Sequence, residues 1–562
     1  MPTINVLFED FERLVGRSLP RNAEALSELL VSLKGEVESI VGDELSIELK
    51  DGNRPDLWSV EGIARELKGA LGIESGLKQY MIKRASGIEV FVDSRMESIR
   101  PFIGCSVVKT VRINNESIKV LMNLQDKLDQ TYGRKRRRTS IGFYRFELIH
   151  PPLHYKVSNP EEHSFIPLGG SKAMILDEIL RNHPKGIEYS PILRSFPLWP
   201  ILVDDQDQVL SFPPIINSNT LGKITEGDQD ILVEVTGTNY QSVLNTLTIV
   251  TLSLADRGQD ILSVKINYPY DSVSQDVTPR LETKKMTINP RDVNRLLGLN
   301  LKPSRIAKLL KKVRYDAQVK DNAIEVTVPC YRMDIMSSVD IIEDVAISYG
   351  FNKMSPIWPK IATTGAVNQL EERSDIVREI MIGLGFQEIL SFSLTDKISQ
   401  GQMMGVDSPQ LVEVTNPSNI NLTHLRSWLL PNLMAFLSNN LHRAYPQKIF
   451  EVGDCVVFEP ASAQREIRDV RKLAAVVAHS SAGFSELKMI VEAFFTNLGA
   501  KPVIKESRHP SFIAGRVGDL LIDGICIGVA GELAPPVLEK WGLSNPVVGF
   551  EIDLASVLKV LK

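Results

Sequence analysis

Cysteine is scarce. The 562 residues contain four, Cys105, Cys330, Cys455 and Cys526, scattered and never in a Cys-x-x-Cys pair. That argues against a zinc site of the usual spacing and for a reducing compartment, with the cytoplasm as the expected location. No run approaches about 18 apolar residues, so no helical membrane span is expected. The first residues, MPTINVLFEDFERL, carry acids early and lack the basic-then-apolar order of a signal peptide. Basic charge is not in excess: 64 Lys and Arg stand against 69 Asp and Glu, a net charge of −5. Any nucleic-acid contact must therefore come from local patches. Also absent are a Gly-x-x-x-x-Gly-Lys phosphate loop, a Gly-x-Gly-x-x-Gly strand–helix turn and His-Glu-x-x-His. What remains is 43% hydrophobic and 24% charged. That is the balance of a folded globular chain with room for about three to five domains.

The stretch Val328 to Phe351, VPCYRMDIMSSVDIIEDVAISYGF, concentrates chemistry. It holds four carboxylates, Asp334, Asp340, Glu343 and Asp344. Ser337 and Ser338 offer a helix N-cap, and acids in a first turn suit the helix dipole. On that helix Asp340, Glu343 and Asp344 stand at i, i+3 and i+4 and share one face. Like charges at such spacing cost roughly 0.2–0.5 kcal/mol per pair, so a cation is expected against them. Oxygen-only ligands of this kind suit Mg²⁺; the same spacing also describes an acidic, solvated helix end.

Helical spacing is read at Phe8 to Val15, Ala23 to Leu33, Tyr240 to Ala255, Pro303 to Val313 and Gln369 to Leu384. Strands are expected at Leu45 to Leu49, Pro200 to Val203, Val209 to Ser211, Ile231 to Val235 and Ala323 to Val328. His183 to Tyr189, HPKGIEY, reads as a turn-rich loop. One strong charge run is present: Arg134, Lys135, Arg136, Arg137 and Arg138. It is either a solvated segment or a phosphate-contacting one on a groove rim. Lys308, Lys311 and Lys312 read mainly as a solvated helix face.

Several segments carry a resemblance. Pro329, Tyr331, Arg332, Asp334 and Ile335, then Asp340, Glu343, Asp344 and Val345, then Tyr349, Gly350 and Phe351, resemble the B5 domain of phenylalanyl-tRNA synthetase β subunits. Asn53-Arg54-Pro55-Asp56, followed by Ser59, Gly62, Ala64, Arg65 and Glu66, is similar to a signature near the start of the same family. The basic run, HPKGIEY, SFPPIINS and EVTGTN resemble the B3/B4 editing module of its archaeal and eukaryotic-type members. One segment departs: where the family commonly has Ile-Gly-x-His-Asp, this chain has Ile141-Gly142-Phe143-Tyr144-Arg145.

The resemblance implies an α+β multidomain chain. Its parts are a small N-terminal α/β domain (about residues 1–85), a B3/B4 module (86–275), a winged-helix-like B5 domain (276–352) and a degenerate class II synthetase core (353–562), an antiparallel sheet with flanking helices. It also implies an α₂β₂ assembly joining phenylalanine to tRNA(Phe). The α subunit would hold ATP and phenylalanine, and Mg²⁺ would sit on the four carboxylates. No arginine lies between Val547 and Lys562 to clamp ATP, so the core is expected to lack a synthetic active site. Arg426 and Arg443 read as surface or interface cations.

A merely apolar pocket for a phenyl ring discriminates an added hydroxyl by only about a hundredfold. A second, hydrolytic site that binds the hydroxyl removes the error. Glu234 matches the family position that reads the tyrosine hydroxyl, with Ser211, Asn217 and Thr236 as polar liners. No Ser/His/Asp or Cys/His set accompanies them, so a positioned water is expected rather than a covalent intermediate. The alternative is a scaffold and tRNA-binding subunit without editing.

Overall fold

Apolar residues at Phe8, Phe11 and Val15 make one buried face of the helix Phe8–Val15, and Gly16 ends it in the left-handed conformation at φ 82°. The helix packs beside an antiparallel sheet ordered Thr3–Leu7, Glu44–Leu49, Gly35–Val41. The helix Val60–Ala70 follows, its Ser59 cap accepting from the Gly62 amide, and nine of its eleven residues are buried. A Cβ at Gly62 would stand 1.8 Å from the Asp56 carbonyl oxygen, so the turn before this helix requires glycine there.

We describe residues 2–109, 113–270, 273–458 and 467–560 from a computed structural model. The chain divides into two compact units, Met1–Ile357 and Trp358–Lys562. In the first unit, a ten-stranded mixed sheet spans residues 82–278. Its hydrogen-bonded path runs from Ile216–Asn217 at one end to Ile231–Gly237 and Thr139–Arg145 at the other. The sheet curls until these ends face each other: Arg145 donates to the carbonyls of Leu221 and Thr220. The helix Tyr240–Ala255, capped by Asn239, lies against the sheet with most of its length buried. One apolar cluster runs from Ile4 and Phe11 to Val233 and Val250, so the first 85 residues share a core with the large sheet.

A third sheet, ordered Lys284–Ile288, Ala323–Val328, Asp316–Lys320, carries the helices Pro290–Leu297, Pro303–Lys312 and Ser338–Tyr349. The second unit has a seven-stranded sheet, antiparallel except where Gln387–Glu388 joins Gln447–Phe458. Two expectations change. His183 caps a short helix, Pro184–Tyr189, by accepting from the Lys185 amide, so HPKGIEY is not a loop. Ala23 to Leu33 breaks into an α-helix, Ala23–Leu30, and a 3₁₀ turn, Val31–Leu33.

Candidate functional site

Two cavities in the first unit gather the four carboxylates and most of the candidate editing residues. The smaller, about 40 Å³, is lined by Asp51, Glu66, Asp334, Asp340, Glu343 and Asp344 together with Lys34, Arg54 and Arg332. Six acids against three cations leave it net negative. The two signature motifs meet here. Arg54 donates to Asp56 through Nε (2.9 Å) and Nη2 (2.8 Å), and lies 3.2 Å from Glu66 and 3.9 Å from Asp334. Arg332 holds Asp334 in a two-bond fork at 2.9 and 2.6 Å and also reaches Asp344 at 2.7 Å. Arg65, from the first motif, stacks over the Tyr331 ring of the second, 4.3 Å from its centroid.

Burial opposes the charge on Asp334, but the Arg332 fork outweighs it and holds the carboxyl below its usual range. Glu66 behaves oppositely: burial pushes its carboxyl up despite Arg54 and Arg332. Asp340 accepts from the backbone amides of Met336 (2.8 Å) and Ser337 (2.6 Å), so it caps its own helix. Glu343 pairs with Lys34 at 2.7 Å, and Asp344 also accepts from the Tyr315 hydroxyl at 2.5 Å. These bonds commit both oxygens of Asp334 but one oxygen each of Asp340, Glu343 and Asp344. The donor set fits a hard cation in chemistry: all oxygen, net negative, with room for a few waters. Among the described residues, however, no three His, Cys, Asp or Glu side chains converge at metal-ligand spacing.

The larger cavity, about 300 Å³, opens where the two ends of the large sheet face each other. Glu234, Ser211 and Asn217 line it, with Ser140, Ile141, Phe143 and Phe212. Glu234 sits between Cys105 and Gly142 on the flanking strands and is 2% exposed. Its Oε2 accepts from the Tyr144 hydroxyl at 2.8 Å, while its Oε1 is buried without a hydrogen-bond partner. Burial pushes this carboxyl up to about 7, and the Tyr144 hydrogen bond, the Arg100 charge and the nearby Thr236 hydroxyl limit the rise. Ser211 Oγ, also buried, lies beside the same phenol. Asn217 Oδ1 is 3.5 Å from the Tyr144 hydroxyl, too far to compete with Glu234 for its single proton. Thr236 does not line the cavity. It is fully buried behind it, its hydroxyl taking Arg100 Nε at 2.9 Å.

A family model described as phenylalanyl tRNA synthetase beta chain CLM domain matches residues 355–554, and one described as tRNA synthetase B5 domain matches residues 286–351. The phenylalanine–tRNA ligase beta subunit of Pyrococcus abyssi is 38% identical over 558 residues, 99% of each chain. That of Pyrococcus furiosus is 39% identical over 559 residues, again 99% of each. The chain belongs to the phenylalanine–tRNA ligase β-subunit family. It is thus the β subunit of an aminoacyl-tRNA ligase. The solved N-terminal fragment of the phenylalanyl-tRNA synthetase β subunit from Pyrococcus horikoshii superimposes with a TM-score of 0.60 at 36% identity. It covers 62% of this chain and all of the fragment.

The basic run of this β subunit divides. Arg134, Lys135 and Arg136 adopt left-handed φ values of 51°, 54° and 63°, uncommon for such residues. The turn sends Arg136 inward, onto the carbonyl of Ile215 (2.9 Å) and the Tyr189 ring, at the cavity wall. Arg138 lies over Tyr132, while Arg134, Lys135 and Arg137 remain exposed. Sequence reasoning missed Arg100 and Tyr144. Arg100 is 1% exposed and ties Thr236, Ser140 and the Arg136 carbonyl together. A lone arginine outside any motif gives no sequence signal of that role. Tyr144 had a signal, its departure from the family pattern, but not a partner. In the second unit Arg426 is not a surface cation: it is 2% exposed and donates to Glu451 at 2.7 Å. Arg443 is exposed as expected.

Proposed function

We propose that this β subunit works with a catalytic α subunit, as an α₂β₂ enzyme in the cytoplasm, and hydrolyses tyrosyl-tRNA(Phe) in the 300 Å³ cavity. One observation carries the reading: a buried carboxylate with an unused oxygen, Glu234 Oε1, at the wall of a mostly apolar cavity. A phenol entering such a cavity finds an acceptor, and phenylalanine leaves it unpaired. Ser211 and Asn217, both beside the Tyr144 phenol, offer further polar contacts at the hydroxyl end, with Thr236 braced behind them. The exposed cations Arg134, Lys135 and Arg137 suit the phosphates of the tRNA end. ATP and phenylalanine belong mainly to α, in keeping with a core whose Arg426 is already paired with Glu451.

The test is direct. The purified chain, without α, is mixed with tyrosyl-tRNA(Phe) and MgCl₂, and loss of the ester is followed. Hydrolysis above the buffer rate is expected; none with or without α would leave the scaffold reading in its place.

Mg²⁺ suits the oxygen-only, net-negative lining of the smaller cavity, where Asp340, Glu343 and Asp344 would hold it through water, with Asp334 anchored by Arg332. There it would offset the cavity's negative charge. We expect millimolar Mg²⁺ to raise the thermal midpoint of the chain, and Asp340→Asn with Glu343→Gln to lose most of that response. A response equal to the parent's would remove these two residues from the ion.

A further inference from the structure

Glu234 has two oxygens and the protein occupies one of them. The occupant is the phenol of Tyr144, two residues along the neighbouring strand from Glu234's register partner Gly142. Tyr144 is fully buried, and its ring lies over Gly142. A Cβ at position 142 would come within 2.3 Å of the Tyr144 oxygen and 2.5 Å of Glu234 Oε2. The glycine therefore opens the space through which the phenol reaches the carboxylate. Across that bond Glu234 Oε1 stays buried and unpartnered, and the residue lines the cavity.

We propose that Tyr144 is a positioning residue for the editing acceptor: its phenol fixes one oxygen of Glu234 and leaves the other to take the hydroxyl of a tyrosyl ester. The inference rests on the editing reading above. Two donors on one carboxylate, one per oxygen, is an arrangement the group accommodates. Burial and the Glu234 charge push the Tyr144 phenol well above its ordinary pKa, so it remains a donor throughout the neutral range. Its hydrogen bond favours the ionised form of Glu234, the form that accepts.

Other ionisable groups surround the acceptor. Cys105 flanks it on the opposite strand, and Tyr155 and Arg100 lie on the same side of the sheet. Across the cavity stand Arg136, Asp126, His183, Lys185 and Lys223. Burial holds His183 below its ordinary value, and Asp129, behind Arg136, is pushed by burial to about 7. Neither His183 nor Asp129 hydrogen-bonds Tyr144, so a change at Tyr144 that moves the pH profile reports on Glu234.

The experiment measures hydrolysis of tyrosyl-tRNA(Phe), corrected for spontaneous loss, from pH 6 to 9 for the full chain, Tyr144→Phe and Glu234→Gln. Removing the donor should move the rising limb about one pH unit to the alkaline side, which from a midpoint near 7 is about a fivefold loss at pH 7. A fraction of misfolded protein would lower the plateau at every pH without moving the limb. Should Tyr144→Phe not fold, a 3-fluorotyrosine placed at 144 strengthens the donor and should move the limb the opposite way. If Glu234→Gln abolishes hydrolysis but Tyr144→Phe superimposes on the parent, the positioning role fails while editing stands. Faster hydrolysis in Tyr144→Phe also overturns it, since the phenol would then be blocking the acceptor. An inactive parent brings down the editing reading itself.

Discussion

Glu234→Ala lowers hydrolysis of tyrosyl-tRNA(Phe) by roughly a hundredfold at pH 8, down to the slow rate at which the phenylalanyl ester is lost. A hydrogen bond to a charged acceptor contributes about 1.5–3 kcal/mol, and 1.4 kcal/mol is tenfold. Without Glu234 the groups left around that carboxylate's place, Ser211, Asn217 and the Tyr144 phenol, carry no charge. The parent's own pH dependence follows from the same carboxyl. With its midpoint near 7, raised there by burial, the accepting form grows about tenfold between pH 6 and pH 8. Hydrolysis corrected for buffer should rise with it, and the alanine variant should lose that rise. A variant within threefold of the parent across this range would take Glu234 out of the site.

Arg332→Leu is the second large effect, and it is on stability. The Arg332 side chain is 2% exposed and neutralises Asp334 and Asp344, themselves 7% and 9% exposed. Its loss leaves two buried carboxylates beside Glu66 with only Arg54 and Lys34 to balance six acids. Breaking a buried pair by removing one partner costs about 3–5 kcal/mol, far more than the net value of keeping it. We expect the first transition in urea to fall to a much lower concentration, with the second unit's transition unmoved. Arg332→Lys keeps the charge but not the fork, and should fall between. A first transition within about 0.5 kcal/mol of the parent's, the range of an ordinary surface change, would show that the cavity's acids are balanced some other way.

Local pattern made much of this legible. The helices Phe8–Val15 and Tyr240–Ala255 and the strand Ala323–Val328 lie where apolar spacing put them. The motifs around Arg54 and Arg332 gave away the family. That the two motifs touch was not legible, since nothing local to either names its partner. The same holds for Tyr144 on Glu234, 90 residues apart, and Arg100 on Thr236, 136 apart. Arg136 reads as one of five solvated cations until a left-handed turn directs it inward. HPKGIEY looked like a loop because proline and glycine punctuate it, yet proline suits a first helical turn and His183 supplied the cap.

The meeting of the two motifs has a consequence for how the chain is made. Lys34 waits for Glu343, 309 residues later, and Glu74 for Arg314, 240 residues later. At about 5–20 residues per second, a ribosome needs on the order of tens of seconds to deliver the second partner. Through that interval the amino-terminal segment is exposed with Glu66 short of the Arg332 charge and its face toward the later helix bare. Its final closure must await residue 343 of 562, and a nascent chain halted before residue 332 would present that open face to chaperones and proteases.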